Sequence, residues 1–275
     1  MLLEPQAKIN LGLHVVERRA DGYHNIETAF YAIPLHDELE VKLLEGTDAP
    51  YSLQLSGQKV QGEAKDNLVV RTLEALRADF DIPPVDIWLH KRIPMGAGLG
   101  GGSSDAAAMA CALRQLFDLP LSDEELEARM AKIGADCPFF VKAQPALATG
   151  IGDVLAPLDL SLRGWTLVLV KPAVSVPTKD AYAGITPRNP DTDLRTVLAK
   201  PVEQWRELLR NDFEDSVFPQ YPQIAAIKET LYDMGAVYAA MSGSGSAVFG
   251  LFRHKMAEAP NVFPDCYVFQ SSYLQ

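Results

Sequence analysis

Apolar and polar positions alternate along several short stretches of the chain, the signature of strands with one face buried. Leu39-Glu-Val-Lys-Leu-Leu44, Tyr51-Ser-Leu-Gln-Leu55 and Val85-Asp-Ile-Trp-Leu89 all follow this period. Between the last two, Val69, Leu73, Leu76 and Phe80 recur at helical spacing. A helix is predicted there, with Asp66 as its N-cap and Pro83-Pro84 closing the segment. Ser103-Ser104-Asp105-Ala106-Ala107-Ala108 reads as a second helix start, its body running through Leu113 and Leu116. Ser122-Asp-Glu-Glu125 is a capping box opening a third helix, for which Gly134 is expected to supply a left-handed C-cap.

The second half is more broken. Trp165-Thr-Leu-Val-Leu-Val170 reads as a buried strand, and residues 184–200, polar and proline-bearing, read as a surface loop. Helices are expected at 202–210 and 222–234, the latter closed by Gly235. Short strands are expected on either side of Ser242-Gly-Ser-Gly245, and a last one at Cys266-Tyr-Val-Phe-Gln270. Gly150, Gly152, Pro157 and Gly164 interrupt the periodicity, which puts a domain boundary near 150–165. Helices and strands are mixed without regular alternation, so the fold class is α+β.

Composition narrows the function classes. The chain has 275 residues, a length that fits two domains or one large one. Its 36 acidic residues exceed its 25 basic ones, for a net charge of -11, which argues against a nucleic-acid binder. Three cysteines, Cys111, Cys137 and Cys266, with no C-x-x-C pair, fit a reducing compartment and no structural zinc. Met1-Leu-Leu-Glu-Pro5 lacks the basic start and apolar run of a signal peptide, and the run at 165–170 is too short to span a bilayer. A cytoplasmic protein without membrane or nucleic-acid partners is expected.

The strongest chemical feature is the run Pro94-Met95-Gly96-Ala97-Gly98-Leu99-Gly100-Gly101-Gly102-Ser103-Ser104. Glycines let a backbone turn through positive φ and approach an anion closely. A following helix start offers unpaired N–H groups and partial positive charge, a combination suited to a nucleotide's phosphates. Ser103 and Ser104 add hydroxyls. Three familiar loops fit less well. The segment contains G-x-G-x-x-G, but a capped helix follows the first helix where a dinucleotide fold needs a strand ending in an acid. A P-loop needs a lysine after its last glycine, where this chain has Ser103. A protein kinase needs H-R-D and D-F-G, which the sequence lacks.

The pattern Pro-x-x-x-Gly-Leu-Gly-x-x-Ser-Ser-x-Ala resembles the phosphate loop of the galactokinase, homoserine kinase, mevalonate kinase and phosphomevalonate kinase (GHMP) superfamily, which phosphorylates small alcohols with MgATP. Ala7-Lys-Ile-Asn-Leu11 is similar to its first motif and Met241-Ser-Gly-Ser-Gly-Ser246 to its third. One branch fits best, the kinases acting on a cytidylyl-linked methylerythritol in non-mevalonate isoprenoid synthesis. It is matched by Arg18-Arg-Ala-Asp-Gly-Tyr-His24, Asp66-Asn-Leu68, Gly134-Ala-Asp-Cys-Pro-Phe139 and Val176-Pro-Thr178. The matches run in order along nearly the whole chain.

The resemblance implies a two-domain α+β fold, with a ribosomal protein S5 domain 2-like N-terminal domain and a ferredoxin-like C-terminal domain flanking an interdomain cleft. Residues 1–155 would form the ATP-binding domain and 156–275 the substrate-side domain, with segments interwoven. It implies ATP and Mg2+ as cofactors, a small cytidylyl substrate, and a monomer or weak homodimer. Asp136 becomes the candidate base and Lys8 the cation paired with it. A carboxylate is a weak base at neutral pH, yet it serves here because the alcohol becomes acidic only as the P–O bond forms. Asn10, Tyr23, His24, Thr178 and Tyr182 become substrate contacts, with His24 reading the cytosine edge and the tyrosines as stacking candidates. Asn67 and Lys91 become adenosine-side contacts. Asp105, where many superfamily members have alanine, receives no role, and the metal ligands stay open. Two alternatives remain: another small-alcohol kinase of the superfamily, against which Asp21-Gly-Tyr-His24 argues, and a non-catalytic nucleotide binder, against which Lys8 and Asp136 argue.

Overall fold

The computed structural model describes all residues except Thr47, Gln61, Ala257, Glu258, Tyr273 and Gln275. In chain order its first elements are β1 (Leu2–Leu3), β2 (Gln6–Arg18), β3 (His24–His36), β4 (Glu38–Leu43), β5 (Tyr51–Gly57), α1 (Leu68–Arg77), β6 (Val85–Lys91), α2 (Gly101–Leu116), α3 (Asp123–Met130) and α4 (Phe139–Lys142). There follow β7 (Ala146–Thr149), β8 (Val154–Pro157), β9 (Thr166–Pro172), α5 (Thr178–Ala183), α6 (Leu194–Leu198), α7 (Trp205–Leu208), α8 (Phe213–Gln220), α9 (Pro222–Asp233), β10 (Tyr238–Met241), β11 (Val248–Phe252), α10 (Ala259–Val262) and β12 (Cys266–Ser271). The mixed order is the expected α+β class.

The chain forms two compact units. The first comprises Met1–Ala7, Leu35–Met95 and Gly100–Gln144; the second comprises Lys8–Pro34, Gly96–Leu99 and Pro145–Gln275. In the first, the sheet order is β1-β4-β6-β5, and β5, α1 and β6 make a parallel strand–helix–strand crossover. The alternation read from the sequence holds: Val85, Ile87 and Leu89 point into the core while Asp86, Trp88 and His90 are half-buried. That core joins Leu39, Val41, Val69, Leu73 and Leu76 to Met109, Ala112 and Leu113 of α2.

The second unit holds two four-stranded sheets, β2-β3-β7-β8 and β10-β11-β9-β12. In the latter, Val168 and Val170 of β9 and Val248 of β11 pack against Ile224, Ile227 and Leu231 of α9. Among the described residues no helix is long and apolar enough to cross a membrane.

Some boundaries differ from the sequence reading. Asp66 is not the N-cap of α1; it ends a 3-10 turn, and Asn67 accepts the Val69 N–H at 3.0 Å instead. The capping box at Ser122 and Glu125 is present, but α3 ends at Met130 with Ala131 as C-cap, and Gly134 has no left-handed φ. Residues 184–200 are not all loop. Asp193 caps α6, accepting from Thr196 N at 2.9 Å, and Leu194, Val197 and Leu198 are buried. Five residues are too few to show a helical period in sequence.

Candidate active site

The glycine run divides between the units, with Gly96–Leu99 in the second and Gly100 onward in the first. In the second unit the loop is sewn to both other motifs. The Lys8 N–H donates to Leu99 O at 2.9 Å, the Ala247 N–H to Ala97 O at 3.1 Å, and Ser242 Oγ to Gly98 O at 2.9 Å. Gly98 has φ +75°, and a Cβ there would lie 2.0 Å from the backbone oxygen of Ser242. Glycine is therefore required by both conformation and space.

Lys8 and Asn10 sit on β2 with every residue from Ala7 to Leu13 buried. Lys8 is only 3% exposed; its Nζ donates to Asn10 Oδ1 at 2.6 Å and lies 4.8 Å from the centre of the Phe30 ring. Asn10 Nδ2 donates to Thr28 Oγ1 at 2.9 Å, and Thr28 passes the chain on to Gly12 O at 2.5 Å. Asn10, expected as a substrate contact, thus orients Lys8 inside this network.

The third motif has a support that sequence reasoning missed. Asn211 Nδ2 donates to both Met241 O and Gly243 O at 2.8 Å, and its Oδ1 accepts the Phe213 N–H at 3.0 Å. Glu214 accepts the Met241 N–H at 2.8 Å and the Lys228 ammonium at 2.6 Å. The only sequence signal is the set of polar residues Asn211, Asp212 and Glu214 at a helix start. Asn211→Asp should destabilise the protein by roughly 2–3 kcal/mol in urea melts, because a carboxylate cannot donate to two buried carbonyls. A change below about 0.5 kcal/mol, the scale of ordinary surface substitutions, would remove this assignment.

Also in the second unit, the rings of His24 and Tyr182 stack with centroids 4.6 Å apart, and Phe213 meets Tyr182 edge-on. Burial, then the nearby Arg18 charge, lowers the His24 pKa, so the ring is neutral at pH 7 and has one donor and one acceptor. Tyr23 is 62% exposed, and Thr178, also exposed, lies 3.4 Å from Ser244 between hydroxyls.

In the first unit, α2 begins two residues before the predicted Ser103, with Gly100 as a left-handed N-cap. The Ser104 N–H reaches Gly100 O at 2.9 Å, so helix geometry leaves the N–H groups of Gly101, Gly102 and Ser103 without intrahelical acceptors. These donors and the exposed Gly102 fit a phosphate chain. The Gly134–Cys137 turn, closed by Cys137 N–H to Gly134 O at 3.1 Å, packs beside this helix start. A Cβ at Gly134 would lie 3.2 Å from Cys137 Sγ and 3.9 Å from Ser103 Oγ. Half-buried Asp136 is carried on this turn. Burial pushes the Cys137 thiol up to about 11 against its hydrogen bond with Ser103, so it is an unreactive packing group.

Lys91 departs from expectation. Its side chain is 4% exposed and its ammonium is bound to Asp37 and, at 2.5 Å, to Asp105. The ammonium is thus not available to adenosine. Asn67, half-buried at the start of α1, has its Oδ1 engaged by Val69.

Comparison with known proteins follows the same segments. Residues 67–144 match the family model for the GHMP kinases N terminal domain, and residues 194–262 that for the GHMP kinases C terminal. The chain is similar to the 4-diphosphocytidyl-2-C-methyl-D-erythritol kinase of Bacteroides fragilis, 52% identical over 271 residues, 98% of this chain and 99% of that one. The Porphyromonas gingivalis protein of the same name is 50% identical over 98% of this chain and 99% of its own. A crystal structure of 4-(cytidine 5'-diphospho)-2C-methyl-D-erythritol kinase superposes with TM-score 0.81 at 33% identity, covering 98% of each chain. Mevalonate kinase of Methanococcus jannaschii superposes with TM-score 0.72 at 15% identity over 100% of this chain and 98% of that one, a likeness of fold alone.

Proposed function

We propose a mechanism from one premise: the chain belongs to the GHMP kinases and, within them, to the 4-diphosphocytidyl-2-C-methyl-D-erythritol kinase family. It is an ATP-dependent phosphotransferase with an alcohol acceptor, acting in non-mevalonate isoprenoid precursor synthesis. The acceptor we assign is the 2-hydroxyl of 4-diphosphocytidyl-2-C-methyl-D-erythritol, giving the 2-phosphate and ADP. The observation that carries the residue assignment is the network joining the first and third motifs to the glycine loop through Leu99 O, Ala97 O and Gly98 O.

In this reading Pro94–Ser104 binds the triphosphate, with the N–H groups of Gly101, Gly102 and Ser103 and the serine hydroxyls as donors. Phosphoryl transfer needs alignment and charge neutralisation more than covalent help. Asp136 takes the hydroxyl proton as the new P–O bond forms. Lys8, desolvated and aimed by Asn10, stabilises the developing alkoxide, which matters for a tertiary alcohol of low acidity. Magnesium would accompany the triphosphate at the start of α2. Bound with the nucleotide, the ion would supply neutralisation of the phosphate charge.

Asn10, Tyr23, His24, Thr178 and Tyr182 form the substrate side, and all five lie in the second unit. Neutral His24 pairs with the cytosine edge, its ring held by Tyr182, while exposed Tyr23 covers the base. Asn67 is assigned to the adenosine side. In functional terms residues 1–155 carry the nucleotide and proton-transfer groups and 156–275 complete the substrate side, with Lys8–Pro34 built into the second unit. The enzyme is assigned to the cytoplasm, as a monomer or weak homodimer.

Acceptor choice tests the reading. With MgATP, ADP release is expected with the cytidylyl substrate and not with homoserine, mevalonate or galactose. Release with one of the others alone would overturn the substrate assignment, and ATP binding without any turnover would favour a nucleotide-binding protein.

A further inference from the structure

Three charged side chains lie buried against the first two turns of α2, and the mechanism uses none of them. Lys91, at the end of β6, bridges Asp37, between β3 and β4, and Asp105, one turn into α2. All three are buried. The helix start rests on this cluster: a Cβ at Gly101 would lie 2.9 Å from Ile93 Cγ2 and 3.5 Å from Lys91 Nζ. With both acids ionised the cluster holds one negative charge in excess, away from water.

The two acids are not equivalent. Asp37 Oδ2 is bound to Lys91, and its Oδ1 accepts the N–H groups of Arg92 and, at 2.8 Å, Ile93. Its ionised form is fully hydrogen-bonded. Asp105 has Lys91 on Oδ2, but its Oδ1 is buried with no hydrogen-bond partner. A buried, unsatisfied anionic oxygen is costly, and protonation removes that cost. The charged groups acting on Asp105 are Lys91 and Asp37, and Asp37 is within hydrogen-bond reach to accept its proton.

Taking the start of α2 as the triphosphate site, we propose that Asp105 is a positioning residue for nucleotide: binding of the polyanion draws a proton onto the Asp37–Lys91–Asp105 cluster, which keeps the ground beneath the phosphates neutral. Burial first, opposed by the Lys91 charge, pushes Asp105 up to about 7, so the free protein is near its midpoint at neutral pH. A further anion nearby raises it again. Below roughly pH 6 the proton is already in place and affinity is insensitive to pH through this group. Above that, binding takes up the proton and affinity falls, by at most about tenfold per pH unit.

Calorimetry of ATP binding to the full chain, without alcohol, in two buffers of different ionisation enthalpy near pH 8 measures the uptake. Wild type is expected to take up roughly half a proton or more beyond the Asp105→Asn variant, whose affinity is expected to stay flat with pH. The comparison cancels titration of ATP itself. Infrared difference spectra of the wild type alone provide a second measurement, with a protonated-carboxyl band expected to grow on binding. ATP binding with equal uptake in both proteins, or without that band, would overturn the proposal and leave the ATP site standing. Absence of ATP binding at every pH would instead sink the ATP reading, and this proposal with it.

Discussion

Replacing Asp136 with asparagine should leave ATP binding intact and lower turnover by about 10²-fold or more. The two side chains have nearly the same shape, so the Gly134–Cys137 turn, held by its own backbone hydrogen bond and by Ser103 beside it, has no reason to move. What changes is chemical. An amide cannot take the proton of the tertiary hydroxyl. Because the proton moves late in a loose phosphoryl transfer, the loss should appear in kcat rather than in the KM for ATP. Single-turnover rates with saturating nucleotide measure it. Near wild-type turnover would show that the proton leaves by another route.

The second large effect is on architecture. Gly98→Ala introduces a Cβ about 2 Å from a backbone oxygen at a residue with φ +75°. The left-handed conformation alone costs a non-glycine residue roughly 1–2 kcal/mol. The neighbour is backbone, Ser242 O, and cannot rotate away. That stretch is itself fixed by Asn211 and by Ser242 Oγ on Gly98 O. Either the glycine loop or the third motif must shift, so a loss of about 3 kcal/mol or more in stability is expected, with a rise in the KM for ATP. Urea melts and initial rates check both. A variant within about 0.5 kcal/mol of wild type and with unchanged KM would mean that the two loops are not locked together as described.

Much of the fold is legible in the sequence where one face of an element is buried. β6 and α1 show their period because solvent-facing and core-facing positions differ in polarity. β2 is harder, since seven successive residues are buried and two of them, Lys8 and Asn10, are polar for chemical reasons. The site is legible where local rules suffice: glycines at 96, 98 and 100 take positive φ, and a helix follows. It is not legible where distant residues complete a network. Asn211, Asp37 and Thr28 are ordinary polar residues in sequence, and their burial follows only from the packing of elements far apart in the chain. Lys91 shows the converse. The family resemblance implies an adenosine contact for it, yet two acids, one of them 54 residues away, take its charge.

Transfer of the ATP γ-phosphoryl group to the 2-hydroxyl of the cytidylyl substrate is read most directly from the phosphorus spectrum of the product. Carbon 2 bears the methyl branch and no hydrogen, so a phosphomonoester there gives a resonance without coupling to a carbinol proton. That uncoupled signal is expected to grow in step with ADP. A product signal split by carbinol protons would place the phosphate on another hydroxyl and overturn the assignment of the 2-hydroxyl as acceptor.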